Sequence, residues 1–479
     1  MDNLSLMCLK SLDSIYGWVW GAPLLLLLVG IGLYLTFALR GIQFRYLGYA
    51  LRLVFFPQKA KETHTQTQEE GDISHFASLM TALAATIGIG NIAGVATAMT
   101  VGGFGALFWM WITALIGMAI KYAEAILAVK YRTVDANGEM CGGPMYFIEA
   151  GLGWKWLASA FALFGSIAAF GGGNMLQANS VAEVMKCTFN WNPWVSGVVL
   201  AAFTAVTLMW GIKSIAKVAS FLVPIMAIMY IGGAFLILAK FYDRIPSAIM
   251  MIISSAFSGQ AALGGFLGSS MILALQVGVS RGLMTSEAGL GTASIAAAAA
   301  KTDHPGRQAL VSMTGSFLAT IVMCSATGLV LAITDVFGTV GPDGKLLTGA
   351  AMTVAAFNSA FSWGGYVVTI GLLLFAFTTI VGWAYYGEKC TEYLLGRKSV
   401  IFYRALFTCI VIPGAVLELD VVWKISDICN GLMAFPNLIA LCALSGVVVS
   451  ETRTFLQVLT AESLGRRPLG GGPLHPAEP

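Results

Sequence analysis

Two glycine-punctuated stretches in this 479-residue chain carry residue types that could hold a small charged molecule without any conventional catalytic group. The first reads TALAATIGIGNIAGVATAMTVGG, with Gly88, Gly90 and Gly94 at its middle and polar Thr86 and Asn91 beside them. The second reads GQAALGGFLGSSMILALQVGV, with Gly259, Gly264, Gly265 and Gly268 followed by Ser269 and Ser270. Where an apolar helix is interrupted in this way, unwound backbone turns N–H groups and half-helix dipoles toward an anion, and freed carbonyls coordinate a cation. On that chemistry the backbone from Thr86 to Asn91, including Gly88 and Gly90, would hold a carboxylate. Gly268, Ser269 and Ser270 would meet an amino group. Close helix packing competes with this reading, because Gly90 and Gly94 also form a GxxxG pair. Three glycines flanking Asn91, echoed by a second cluster, favour a binding site.

The elements that must position these breaks follow from composition. Hydrophobic residues make up 57% of the chain and charged residues 11%, far below the roughly 25% of soluble domains. Hydrocarbon cannot hydrogen-bond a bare backbone, so apolar runs of about 20 residues must be helices. No charge lies between Asp13 and Arg40, Arg244 and Arg281, or Lys345 and Glu388. Alternating strand patterns are absent, which excludes a barrel. The expected fold is therefore an all-α integral membrane protein with about eleven spans, centred near Leu27, Gly88, Ile112, Ala169, Leu200, Met229, Ile272, Val322, Leu374, Cys409 and Leu438. The first span is as long as a full crossing and reads as a retained helix rather than a signal peptide. With the N-terminus outside, 21 Lys and Arg fall in cytoplasmic segments and six outside, which sets a multi-pass cell-membrane topology with a cytoplasmic C-terminus. If span one is extra, spans 2–6 and 7–11 form a 5+5 inverted repeat, each set opening on a broken helix. The corresponding boundaries are 1–70 for the N-terminal helix and interfacial segment, 71–243 and 244–452 for the repeats, and 453–479 for a disordered cytoplasmic tail.

Further polar residues lie within the apolar spans. Asn174, Gln177 and Asn179 are amides in span four, and an unpartnered amide costs several kcal/mol in hydrocarbon, so they face protein or a cavity. The glycines of FGGGNMLQANS leave space near Gln177. In span nine, the adjacent hydroxyls of Thr378 and Thr379 suit sodium's preference for oxygen, and Trp383 follows one turn later, walling the pocket or anchoring the interface. Lys121 and Glu124, one turn apart near the inner end of span three, read as a structural pair. No acidic side chain is expected in mid-bilayer near the breaks, which disfavours a cationic cargo and favours a zwitterion. The Gly, Ala and Ser content of spans two and seven predicts a small pocket.

Five motifs occur in order across residues 80–390: TALAATIGIGNIAGVATA, GGPMYFIEAGLG, NMLQANSVAE, RGLMTSEAGLGTA and FTTIVGWAYYGEK. Together they resemble the signatures of the alanine/glycine:cation symporter family. That resemblance implies a leucine-transporter-type fold with one additional N-terminal helix, and sodium-coupled, in some members proton-coupled, uptake of alanine or glycine. It also implies that the carbonyls of Ala84 and Ile87 face one sodium ion, completed by Thr378 and Thr379, and that Thr86 and Asn91 approach a second if one exists. Gln177, contained in the family motif, becomes a substrate contact, together with Thr379 and Trp383. The stretch from Arg281 to Gln308, containing Glu287, reads as interfacial helix and turns belonging to a cytoplasmic gate.

Other classes fit less well. A channel filter requires a symmetric oligomer with one short loop per subunit, whereas this chain carries its own repeat. There is no HExxH, no GxSxG and no mid-span carboxylate pair to support an enzyme. Eight scattered cysteines and four dispersed histidines argue against a disulfide framework or a metal beyond sodium. No cofactor is expected, sodium being a co-transported cation. The partners are a small neutral amino acid, sodium and the bilayer, with no nucleic acid and no obligatory protein partner. Proton coupling stays as the alternative within the transporter class, and it requires a titratable group near the site.

Overall fold

The computed structural model describes residues 3–56, 71–135, 138–258, 271–341, 344, 346–417 and 420–463. Among them, eight helices are long and apolar enough to cross a bilayer: Ser11–Ala38, Gly105–Lys130, Lys155–Lys186, Gly211–Lys240, Pro305–Ile333, Gly364–Leu395, Ser399–Val416 and Val421–Ala443. Pro193–Leu208, where the fifth span is expected, is apolar but shorter. The remaining two are split: span two into His75–Thr86 and Ala93–Gly102, and span seven into Met271–Ser286 and Thr292–Ala298. Among the described residues, eight of the eleven expected spans thus stand on length and apolarity as single helices, and part of the expected seventh lies outside the described residues.

The two split helices lie side by side in opposite directions. The first half of span two packs against the second half of span seven, and its second half packs against the first half of span seven. This antiparallel pairing is what an inverted repeat requires. Spans three, six, eight and nine surround the pair, and span three packs along spans seven and eight. The extra N-terminal helix stays peripheral, against spans three and eleven. It is tied there by Trp20 Nε1, which donates to the Asp427 carbonyl at 2.8 Å.

The interruption in span seven corrects the sequence reading of the stretch after Arg281. Gly264, Gly265, Gly268, Ser269 and Ser270, expected to form that break, lie outside the described residues. The observed break is at 287–291, within the segment read from sequence as interfacial helix and turns. Three residues there have positive φ: Glu287 at 53°, Gly289 at 91° and Gly291 at 78°. Left-handed residues at every second position cannot continue a right-handed helix, and the two glycines adopt that region without the Cβ penalty. At Gly291 a Cβ would also lie 2.4 Å from Pro144 Cγ, so the close approach independently demands glycine.

Spans four and eight each contain a π turn, at Gly171–Met175 and Phe317–Cys324. Both turns touch the broken helices or their immediate partners, as π-bulges at functional sites do. Where the loops after spans three and nine meet, a hairpin pairing Thr133–Val134 with Met140–Cys141 joins a cluster of ion pairs. Arg397 reaches Asp135, Glu139 and Glu392, and Lys389 reaches Glu392 at 3.0 Å. Asp135, Cys141 and Glu392 are close enough together to suggest a metal site. Lys389 Nζ, however, bonds both Cys141 Sγ and Glu392, which makes this a lysine-centred ion cluster. The tail expected to be disordered from residue 453 is instead helical as far as Ser463, in Ser445–Ser463; residues 464–479 lie outside the described set.

Candidate transport site

At the end of His75–Thr86 the helix stops, and its last carbonyls lose their ordinary i+4 donors. The donor that Ala84 O would have used, Gly88 N–H, goes instead to Asn91 Oδ1 at 3.2 Å. The donor for Ile87 O, Asn91 N–H, goes to Gly88 O at 3.2 Å. Thr379 of span nine fills the gap: its hydroxyl donates to Ala84 O at 3.0 Å and lies 3.4 Å from Ile87 O. Three oxygens therefore converge on one buried spot, the donor set that a hard monovalent cation takes. Gly88 is what lets span nine approach, since a Cβ there would lie 2.7 Å from Thr379 Oγ1. Thr378 is one residue away but points differently, donating to Phe375 O at 3.0 Å and lying 3.6 Å from Met226 Sδ.

Above this spot is a cavity of about 490 Å³, lined among others by Thr86, Gly88, Gly90, Gln177, Thr379 and Trp383. Gln177 bridges two elements there: its Oε1 accepts from Ile89 N–H at 3.4 Å, and its Nε2 donates to Gly172 O at 3.0 Å. The other two amides of span four turn away. Asn174 Nδ2 donates to Phe407 O at 2.6 Å, and Asn179 Nδ2 to Gly414 O and Leu417 O, all on or just after span ten. Trp383 is 6% exposed and packs on Gly173, where a Cβ would meet its side chain at 2.4 Å. Of its two sequence readings, the buried position matches the pocket wall.

Asn91 lies at the break but faces away from the cavity. Its Nδ2 donates to Ala319 O at 2.9 Å and Thr285 O at 3.4 Å, so it ties the break of span two to spans seven and eight. The acceptor at Ala319 lies in the π turn of span eight, a partner that no sequence pattern announced. Gly94, read from sequence as one half of a possible packing pair, has nothing within 4 Å of a built Cβ and lines the cavity.

The sequence expectation of a mid-membrane region free of acid does not hold. Glu287, 2% exposed, lines the cavity at the break of span seven. Its Oε2 accepts from Thr86 Oγ1 at 3.1 Å and from Thr292 Oγ1 at 3.2 Å, joining the two broken helices. Behind it, Glu124 Oε1 accepts from the N–H groups of Gly289 and Gly291 at 3.0 and 3.1 Å and from Asn437 Nδ2 at 2.7 Å. Lys121 interacts with both carboxylates and not with Glu124 alone. The readable signal was the SEAGLG stretch itself, an acid among closely spaced glycines, which resembles the first break in composition.

Residues 6–466 match the family described as "Sodium:alanine symporter family". The chain belongs to this family. It is 53% identical over 467 residues to the Sodium/alanine symporter AgcS of Methanococcus maripaludis, covering 97% of this chain and 99% of that one. It is 35% identical to the Probable sodium/glutamine symporter GlnT of Bacillus subtilis, over 91% of this chain and 88% of that one. Among solved structures, MhsT in complex with L-phenylalanine has a similar fold, with a TM-score of 0.60 at 15% identity, covering 80% of this chain and 93% of that chain. In this symporter family member, both helix breaks and Thr379 line one cavity.

Proposed function

We propose that this chain imports a small neutral amino acid, alanine or glycine, together with sodium, by alternating access of the cavity to the two sides of the membrane. The observation that carries this is the convergence of Ala84 O, Ile87 O and Thr379 Oγ1 beside the cavity floor. A cation bound there stiffens the break that also forms the substrate site, so ion and cargo stabilise the same geometry and couple without touching. The family match and the AgcS relative support sodium and alanine as the transported pair.

The substrate subsite we infer consists of the break at Gly88 to Gly90, Gln177 and Trp383. The cavity continues past these residues to Glu183, Arg281, Thr348, Trp423 and Asp427. Of these, Glu183, Trp423 and Asp427 lie toward the ends of spans four and eleven opposite to the ion-paired hairpin. With the N-terminus outside, as the Lys and Arg distribution supports, this is an outward-facing cell-membrane protein sealed at its cytoplasmic end. The repeats then run over 71–243 and 244–452.

Uptake of labelled alanine into proteoliposomes, with sodium, potassium and pH varied independently, tests the assignment. Saturable uptake that collapses without an inward sodium gradient supports it; uptake indifferent to sodium, or large unitary currents, refutes it. Glu287 gives one specific ground for a second reading, proton coupling, because a buried carboxylate lines the cavity. Uptake driven by a pH gradient in the absence of sodium would select that reading.

A further inference from the structure

We infer that Glu287 is the anchor for the ammonium group of the substrate and sets the carrier's selectivity for amines over other small carboxylates. The inference rests on the reading of the cavity as an amino-acid site, and it assigns the end of the substrate opposite to the one the span-two backbone would hold. Lys121, Glu124 and Glu287 are respectively 2%, 1% and 2% exposed, so two carboxyl groups are buried with one lysine that interacts electrostatically with both. An unpaired charge out of water is costly, and such a group keeps its charge only by finding a counter-ion. The group therefore holds two carboxyl groups to one lysine.

Geometry decides which of the two a ligand can reach. Glu124 does not line the cavity, and its Oε1 is occupied by two backbone N–H groups and Asn437. Glu287 does line the cavity. It meets the hydroxyls of Thr86 and Thr292 and the side chain of Trp383. The other charged groups that line the cavity are Glu183, Arg281 and Asp427; Arg281 and Asp427 interact with each other, and Glu183 is exposed. A cation entering to the level of the breaks therefore meets Glu287 as its partner. In the proposed function sodium takes the oxygens of Ala84, Ile87 and Thr379, where the span-two helix ends. The substrate's ammonium is the remaining positive charge. Thr86, hydrogen-bonded to Glu287 and adjoining the break, places the anchor within one short amino acid's reach of the span-two backbone.

Glu287→Gln separates charge from scaffold, because the amide oxygen still accepts from Thr86 and Thr292. Alanine binding to purified protein in saturating sodium, with L-lactate as a probe that keeps the carboxylate and methyl but lacks the ammonium, is the measurement. Losing a hydrogen bond to a charged group predicts a fall in alanine affinity of about ten- to a hundred-fold. Binding of lactate, thermal stability and the sodium dependence of stability stay close to wild type. Glu287→Asp, which keeps the charge, recovers part of the affinity, and it also serves if the Gln variant does not fold. Wild-type alanine affinity in the Gln variant, or equal displacement of alanine by lactate in the wild type, overturns the inference. So does joint loss of alanine binding, sodium response and stability in both variants, which marks Glu287 as structural. Failure of the wild type to bind alanine at all would overturn the underlying amino-acid reading instead.

Discussion

Adding one methyl group at Gly88 gives a sharp test of the cation site. In Gly88→Ala the new Cβ would lie 2.7 Å from Thr379 Oγ1, 3.4 Å from Thr379 Cβ and 3.2 Å from Gln177 Oε1. An ordinary contact begins near 3.5 Å, so the Thr379 hydroxyl must retreat by roughly 0.8 Å, more than its 3.0 Å bond to Ala84 O can stretch and survive. Overpacking of this kind costs about 1–3 kcal/mol. If that cost falls on the ion-bound geometry, it raises the sodium concentration for half-maximal alanine uptake about five- to a hundred-fold. Gly94→Ala is the control, in the helix Ala93–Gly102 just after the break and with nothing within 4 Å of its Cβ. It should leave the sodium response unchanged. Sodium titration of uptake in proteoliposomes reads both variants side by side. An unchanged sodium response in Gly88→Ala would refute the placement of the ion, and an equal loss in Gly94→Ala would show that any added bulk in span two impairs transport.

Gln177→Ala should lower alanine affinity by about tenfold through loss of its bridge between Ile89 and Gly172. Asn179→Ala, which loses bonds to Gly414 and Leu417, should reduce thermal stability and leave affinity intact; ligand binding and melting temperature measured together distinguish the two. Thr379→Val should weaken the sodium response more than Thr378→Val, because only the first hydroxyl meets the freed carbonyls; equal effects in a sodium titration would extend the ion site to Phe375 O. Trp383→Ala should enlarge the cavity and admit longer neutral side chains, read as inhibition of alanine uptake by glutamine; an unchanged inhibitor profile would remove Trp383 from the pocket wall.

Several features were determined by the sequence acting locally. Long charge-free runs must become helices in hydrocarbon, so the all-helical membrane fold follows from composition alone. The break at Gly88 also follows locally, because closely spaced glycines beside Asn91 weaken a helix whatever surrounds it. Gln177 and Thr379 were visible as polar groups that an apolar span must satisfy somewhere.

Tertiary structure decided which partners those groups found. Asn174, Gln177 and Asn179 look equivalent in sequence, yet two bond span ten and only Gln177 reaches the break, since helix rotation and the π turn at Gly171–Met175 aim each amide differently. Glu287 reads as peripheral because charges flank its segment on either side, at Arg281 and Lys301. Its burial is tolerable because hydroxyls from spans two and seven donate to it and the charge of Lys121 in span three acts on it. The partners that make a buried acid tolerable come from three different helices, and no local pattern in a chain encodes their convergence.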